Sequence, residues 1–204
     1  MQDMDFQGIT FSVEGNIGVG KTTLLRDILN ADADSSIEDI FNLVPEPVES
    51  WQEVERLGDS NQNNFNVLAE FYRDPKRYAY TFQNYVFMTR FLQEKTTREA
   101  RFPLRIMERS VCSDRNVFTE ALYENGWLSE LEYSLYQAWY WPIMKTSPTL
   151  IPHGFIYLRA APETCFRRLQ FRARGEELDV DIAYLECLHD KHEKWLIPPD
   201  LREH

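Results

Sequence analysis

Gly15-Asn16-Ile17-Gly18-Val19-Gly20-Lys21-Thr22 satisfies the pattern G-x-x-x-x-G-K-[ST] at every fixed position. The residues before it, Ile9-Thr10-Phe11-Ser12-Val13, form a short β-prone run, and a series of helix formers starts at Lys21. Strand, glycine-rich turn and helix are the setting in which this pattern has a physical meaning. Glycines let successive backbone N–H groups turn inward around phosphate oxygens, and the helix N-terminus adds a favourable dipole. Lys21 reaches the terminal phosphates, and the Thr22 hydroxyl is a ligand for magnesium. Gly15, Asn16, Ile17, Gly18, Val19, Gly20, Lys21, Thr22 and the adjacent Thr23 are therefore the candidate nucleotide-binding residues. The motif implies a nucleoside triphosphate and leaves the reaction open.

Working outward, Phe41 to Val44 is a second strand, stopped by Pro45-Glu46-Pro47, because proline restricts the backbone and lacks a ladder donor. Gly58 to Asn64 is polar and reads as a loop. Helical character begins at Phe65, breaks at Asp74-Pro75 and resumes as a long helix from about Arg77 to Arg101. Leu104 to Met107 is a third strand, followed by helices over roughly Asp114 to Glu124 and Glu130 to Met144. Gly154 to Leu158 is a fourth strand, Pro162 opens a helix, and Asp181 caps a last helix ending near Trp195. This alternation predicts an α/β fold of P-loop NTPase type, a three-layer sandwich with a mostly parallel sheet and helices on both faces. Ligands are expected at the carboxyl ends of the strands.

The 204 residues are about one domain in length, with 43% hydrophobic and 14% aromatic content to fill a core. With 22 basic and 33 acidic residues, the net charge of −11 opposes non-specific binding to nucleic acid. No apolar run is long enough to span a membrane as a helix. Three widely spaced cysteines, Cys112, Cys165 and Cys187, form no CxxC pair and fit a reduced compartment. The acidic start Met1-Gln2-Asp3-Met4-Asp5-Phe6 has no signal or transit character, so an intracellular location, cytoplasmic or mitochondrial, is expected. His189 and His192 share a helix face but lack supporting ligands, and a packing or solvated role is expected for them.

Three further segments follow the ends of strands or helices: Glu46-Pro47-Val48-Glu49-Ser50-Trp51, Glu108-Arg109-Ser110, and Arg172-Ala173-Arg174-Gly175-Glu176-Glu177. In this order and with the P-loop, they resemble the deoxynucleoside kinase family, especially its deoxyguanosine, deoxycytidine and plant-type members, over residues 9 to 197. The resemblance implies ATP as phosphate donor, Mg2+ as cofactor and a deoxynucleoside as acceptor, phosphorylated at its 5′-hydroxyl. It makes Glu46 the general base, Arg109 a neighbour of the 5′-hydroxyl and transferred phosphate, and Glu108 a partner of Thr22 in holding magnesium. Arg168, Arg172 and Arg174 match lid arginines, in a lid of about residues 172–178. Glu177 and Tyr72 match the pair that binds the sugar 3′-hydroxyl. A homodimer packed through long helices is also implied, to which the aromatic-rich segment Tyr133 to Trp141 could add apolar surface.

Gln83 and Arg90 lie seven residues apart on the long helix, two turns, so both can face one pocket. The Gln83 amide suits a base edge, while Trp51, Phe71, Phe82 and Phe118, with Leu68, can wall the ring. Taken singly, each aromatic residue reads more readily as core. By resemblance, Arg90 and Asp114 match a charged pair lining the base pocket, where thymidine-preferring relatives carry Met and Ala. Preference for purine deoxynucleosides or deoxycytidine over thymidine is expected.

Two other readings share parts of the pattern. A nucleoside monophosphate kinase has the P-loop and lid but needs a second phosphate clamp. A non-catalytic binding or assembly subunit is opposed by the intact Lys21, Thr22, Glu46, Glu108 and Arg109. Family members usually continue past the last helix into a fifth strand and an adenine-contacting loop, so either the sequence is a fragment or a sheet lacking that last strand is expected here.

Overall fold

A computed structural model describes residues 8–30, 41–57, 64–98 and 102–201. Among these residues the sheet has four strands, β1 (Ile9–Glu14), β2 (Phe41–Val44), β3 (Leu104–Glu108) and β4 (Gly154–Tyr157), in the order β2-β3-β1-β4. All pairs are parallel, with Ile9 opposite Leu104, Phe41 opposite Leu104 and Phe11 opposite Gly154. These are the strands the sequence indicates, with β1 and β3 each running one residue further, to Glu14 and Glu108, and β4 ending one residue earlier, at Tyr157.

Parallel neighbours require crossovers, and right-handed crossovers fix where the helices go. From β1 the chain passes through α1 (Lys21–Asn30) toward the β2 edge. It returns through α2 (Val48–Gln52), α3 (Val67–Arg73) and α4 (Pro75–Thr97) to β3, moving the opposite way. The two crossovers therefore cover opposite faces. The chain leaving β1 and the chain leaving β3 diverge toward opposite edges, which opens a crevice at their carboxyl ends.

Local chemistry explains where the helices start. Asn66 caps α3 by accepting from the Ala69 N–H at 2.8 Å, and Phe65 is instead paired with Val54 in an isolated bridge. Asp74 caps α4 and Pro75 occupies its first turn, so this helix starts two residues before the expected Arg77; the described part ends at Thr97, and 99–101 lie outside the described residues, as do 58–63 of the expected loop. After β3 the helical stretch begins at Val111, behind the cap residue Ser110, rather than at Asp114. It runs through α5 (Val111–Ser113), a π-helical segment (Asp114–Thr119) and α6 (Glu120–Glu124). Ser129 and Glu132 form a capping box on α7 (Glu130–Thr146), which continues two residues past Met144 with Pro142 inside it. Then come α8 (Pro162–Arg172), a 3-10 turn (Gly175–Glu177) and α9 (Ile182–Leu196), capped by Asp181 as expected.

Four clusters of apolar side chains hold these elements. Leu25 of α1 meets Val13 and Ile106 of the sheet, while Val117, Cys165, Leu169, Leu185 and Leu188 join the π segment, α8 and α9. Leu188 is fully buried, so Leu188→Ala should cost about 2–5 kcal/mol, read as a lowered urea midpoint at unchanged m-value. His192 is also fully buried. Its Nδ1 lies 2.7 Å from the Leu188 carbonyl and its ring stacks on Tyr157, so it packs rather than binds metal. Burial pushes its pKa down to about 3, which keeps it neutral. Among the described residues no cluster of His, Cys, Asp or Glu could hold a metal by itself, and no helix is long and apolar enough to cross a membrane.

Candidate active site

The crevice at the ends of β1 and β3 is a cleft of about 1260 Å³. The loop that forms its floor needs glycine for two reasons. Gly15 and Gly18 have φ of 144° and 76°, and an added Cβ would lie 2.4 Å from the Leu158 carbonyl oxygen and 2.6 Å from that of Cys165. Asn16 turns its side chain away from the cleft, donating to Leu185 O at 2.8 Å and accepting from Ile17 N–H at 2.9 Å. Gly15 and Asn16 thus brace the loop, while Ile17, Gly18, Val19, Gly20, Lys21, Thr22 and Thr23 line the cleft.

Lys21 is buried and folded back on its own loop, donating to Gly15 O at 3.2 Å and Asn16 O at 2.9 Å. Burial, reinforced by the Arg109 charge, pulls its pKa down to about 7 against the opposing pull of Glu46, Glu108 and Glu14. A bound polyphosphate would reverse that shift. Thr22 Oγ1 lies 2.8 and 3.0 Å from the two oxygens of Glu108. This is a set of hard oxygen donors beside a phosphate loop, the donor chemistry Mg2+ takes when substrate phosphates and water complete its shell.

Glu108-Arg109-Ser110 forms a sharp turn at the end of β3. Arg109 has a left-handed φ of 64°, unusual for a residue with a side chain, and its N–H is pinned to Val13 O at 3.0 Å. Ser110 donates to Glu14 at 2.6 Å, and Ser12 donates to the same oxygen at 2.7 Å. Glu14 is fully buried, and burial raises its pKa despite those hydroxyls and Arg109. The turn sends three consecutive side chains to different targets: Glu108 to Thr22, Arg109 to Glu46 at 3.3 Å, and Ser110 to Glu14.

Glu46 is the hub of the cleft wall opposite the phosphate loop, where Arg90 and Arg109 both meet it. Its Oε1 accepts from Arg90 Nη2 at 2.7 Å, and the side chain remains 19% exposed toward the cleft. Burial alone would raise the carboxyl, but Arg109, then Arg90 and Lys21, hold it below the ordinary carboxylate range. Arg90 continues to Asp114, with Nε 3.2 Å from Oδ1 and 2.9 Å from Oδ2, and donates to Glu108 O at 3.1 Å. Gln83 donates to the Asp114 carbonyl at 3.1 Å, so the two residues spaced by two turns do meet one partner.

Asp114 opens the π segment and is almost wholly buried; burial pushes its pKa up to about 7, with Arg90 the main opposing influence. The sign follows directly. The folded state holds a proton that the unfolded chain releases near pH 4, so stability falls as pH rises from about 4 through 7. Wild-type protein should lose about 2 kcal/mol more than Asp114→Asn between pH 5 and 7.5, compared by urea midpoints. Other titrating groups are common to both proteins and cancel to first order.

Trp51, Leu68, Phe71 and Phe82 are buried in one cluster and also line the cleft, so the core and pocket readings hold together. Phe71 stacks on Phe82 at 4.8 Å, and Trp51 meets Phe82 edge-on at 5.6 Å. Phe118 lies under the Arg109 guanidinium at 4.6 Å. Tyr72 and Glu177 reach the same cleft from α3 and the lid. Arg172 and Arg174 both pair with Glu177, the latter at 3.1 Å, and Arg168 donates to Val19 O at 2.7 Å on the P-loop. Ala173, in the left-handed conformation at φ 49°, ends α8 directly after Arg172, and Arg168, Arg172 and Arg174 all line the cleft.

Several cleft residues have no sequence motif: Gln52, Val86, Gln93, Leu122, Phe171 and Tyr184. Glu14 carried one overlooked signal, a carboxylate closing an apolar strand at the mouth of a phosphate loop.

A parallel α/β sheet, a P-loop, an acid–arginine turn and three further arginines on one cleft define a P-loop kinase-type phosphotransferase. The deoxynucleoside kinase family profile matches residues 11–201, and the chain belongs to that family. Among its relatives are deoxycytidine kinase 2 of Gallus gallus, 38% identical over 94% of this chain and 75% of the relative, and mitochondrial deoxyguanosine kinase of Xenopus laevis, 42% identical over 91% and 72%. Deoxycytidine kinase of Homo sapiens is 37% identical over 94% of this chain and 76% of its own length.

Proposed function

We propose that this protein transfers the γ-phosphate of ATP to the 5′-hydroxyl of a deoxynucleoside in nucleotide salvage, with deoxyguanosine, deoxyadenosine or deoxycytidine preferred over thymidine. The observation that carries the reading is Glu46, a partly exposed carboxylate in the same cleft as the P-loop, flanked by Arg90 and Arg109. Phosphoryl transfer needs alignment and neutralisation of charge more than covalent help. The Gly18–Thr22 backbone and Lys21 hold the phosphates, and Glu46 accepts the 5′-hydroxyl proton. Arg109 lies beside that oxygen and the transferred group, and Arg168, Arg172 and Arg174 close over the triphosphate. Thr22 and Glu108 would hold Mg2+, which when bound would supply positive charge against the triphosphate.

On the acceptor side, Trp51, Leu68, Phe71, Phe82 and Phe118 enclose the base, Gln83, Arg90 and Asp114 meet its polar edge, and Glu177 with Tyr72 takes the sugar 3′-hydroxyl. Met88 and Leu92 of α4 and Leu131, Leu135 and Trp141 of α7 are exposed apolar residues that support a homodimer through long helices. Free Cys112, Cys165 and Cys187 fit an intracellular compartment, cytoplasmic or mitochondrial.

The test is product formation from Mg-ATP with deoxyguanosine, deoxyadenosine, deoxycytidine, thymidine and dTMP, each offered separately. Formation of purine or deoxycytidine monophosphates above thymidine monophosphate is expected. Turnover of dTMP alone would replace this reading with a monophosphate kinase, and no turnover at all would favour a non-catalytic subunit.

A further inference from the structure

The lid turn carries two adjacent glutamates with different partners. Glu177 is buried and takes Arg172 and Arg174, whereas Glu176 reaches the opposite wall of the cleft. Its Oε1 accepts from Gln52 Nε2 at 2.7 Å and from Asn66 Nδ2 at 2.8 Å. Gln52 ends α2, next to Trp51, and Asn66 is the N-cap of α3, whose Leu68, Phe71 and Tyr72 line the cleft. The Asn66 amide has a fixed orientation, because its Oδ1 is committed to the Ala69 N–H. A single carboxylate oxygen thus ties the lid to both helices of the acceptor wall, and neither the P-loop nor the lid arginines donate to that oxygen in these bonds.

We propose that Glu176 is a positioning residue: it latches the lid to α2 and α3 and so sets Glu177 against the deoxynucleoside sugar, independently of the triphosphate. This rests on the deoxynucleoside kinase reading. Burial tends to raise the Glu176 carboxyl, but the Asn66 amide, its own backbone N–H, Gln52 and Arg174 hold it low, so the latch is anionic at neutral pH. Amide bonds to a carboxylate are stronger than neutral ones, which suits a closure that must survive until the second substrate arrives.

Asn66→Asp is the decisive substitution, because it keeps the oxygen that caps α3 yet sets a carboxylate against Glu176. It should raise KM for the deoxynucleoside about tenfold, with KM for ATP changed less than about twofold. Adding Glu176→Gln should bring the deoxynucleoside KM back to within about threefold of wild type, since the new amide donates to the new carboxylate and still accepts from Gln52. An unchanged KM in the single variant, an equal rise for ATP, or no recovery in the double variant overturns the latch. If wild-type protein phosphorylates no deoxynucleoside, the functional reading fails. The latch then stands or falls on hydrogen exchange at residues 174–178, expected to be faster in Asn66→Asp and restored in the double variant; unchanged exchange overturns it.

Discussion

Glu46→Gln should lower kcat for every accepted deoxynucleoside by about 10²–10⁴, the range that loss of a general base produces. The substitution conserves volume and leaves an oxygen for Arg90, so the 2.7 Å contact has a neutral replacement. What disappears is the negative charge that Arg109, Arg90 and Lys21 surround. Arg90 and Arg109 then face the cleft with one anion fewer, which strengthens rather than weakens their attraction for a triphosphate. KM for ATP should therefore stay level or fall while kcat collapses, a split that separates loss of chemistry from general damage. Steady-state kinetics with ATP varied at saturating deoxynucleoside measure it. A proportional loss in both parameters would move Glu46 from proton acceptor to structural ion-pair partner. The depressed pKa does not conflict with the role, because in a loose transition state the proton need only leave late.

The phosphate half of the cleft was legible because its geometry is set by the backbone. A strand, a turn only glycine can make and a helix N-terminus place Lys21 and Thr22 with little help from distant residues. The acceptor half was legible as residue types but not as connections. The resemblance pairs Arg90 with Asp114, but nothing in Gln83-x6-Arg90 announces that Gln83 also ends on Asp114, because Asp114 reaches it through a π-helical segment that local propensity reads as ordinary helix. The early start of that helical stretch was hidden for a related reason. Ser110 caps it while also serving Glu14, a long-range contact across 96 positions. Glu176 was quoted only as a lid residue, since its partners Gln52 and Asn66 lie 124 and 110 positions away. Asn16 shows the reverse: a position inside the motif whose side chain serves α9 rather than the ligand. Short-range rules recovered what the backbone builds, and missed what tertiary packing brings together.

Replacing the buried pair together, Arg90→Met with Asp114→Ala, should raise the thymidine-to-deoxyguanosine ratio of kcat/KM by about 10–200-fold, the span over which one methyl-sized group is discriminated in a pocket. Both side chains are nearly inaccessible, at 3% and 2%, so removing them should open space in the cleft wall. The single variants separate the causes. Asp114→Ala leaves Arg90 on Glu46 and the Glu108 carbonyl, so the base pocket widens while the reacting end keeps its geometry. Arg90→Met leaves Asp114 without its cation, but this carboxyl already titrates near 7 and responds by keeping its proton, so little further stability is lost through it at neutral pH. Its cost falls on Glu46, which loses one of its two arginine contacts, and kcat should drop for all bases alike. The specificity change therefore belongs mainly to Asp114 and the rate change mainly to Arg90. Competition assays with both deoxynucleosides in one reaction read the ratio directly. An unchanged ratio in the double variant would mean that the aromatic walls, not the charged pair, choose the base.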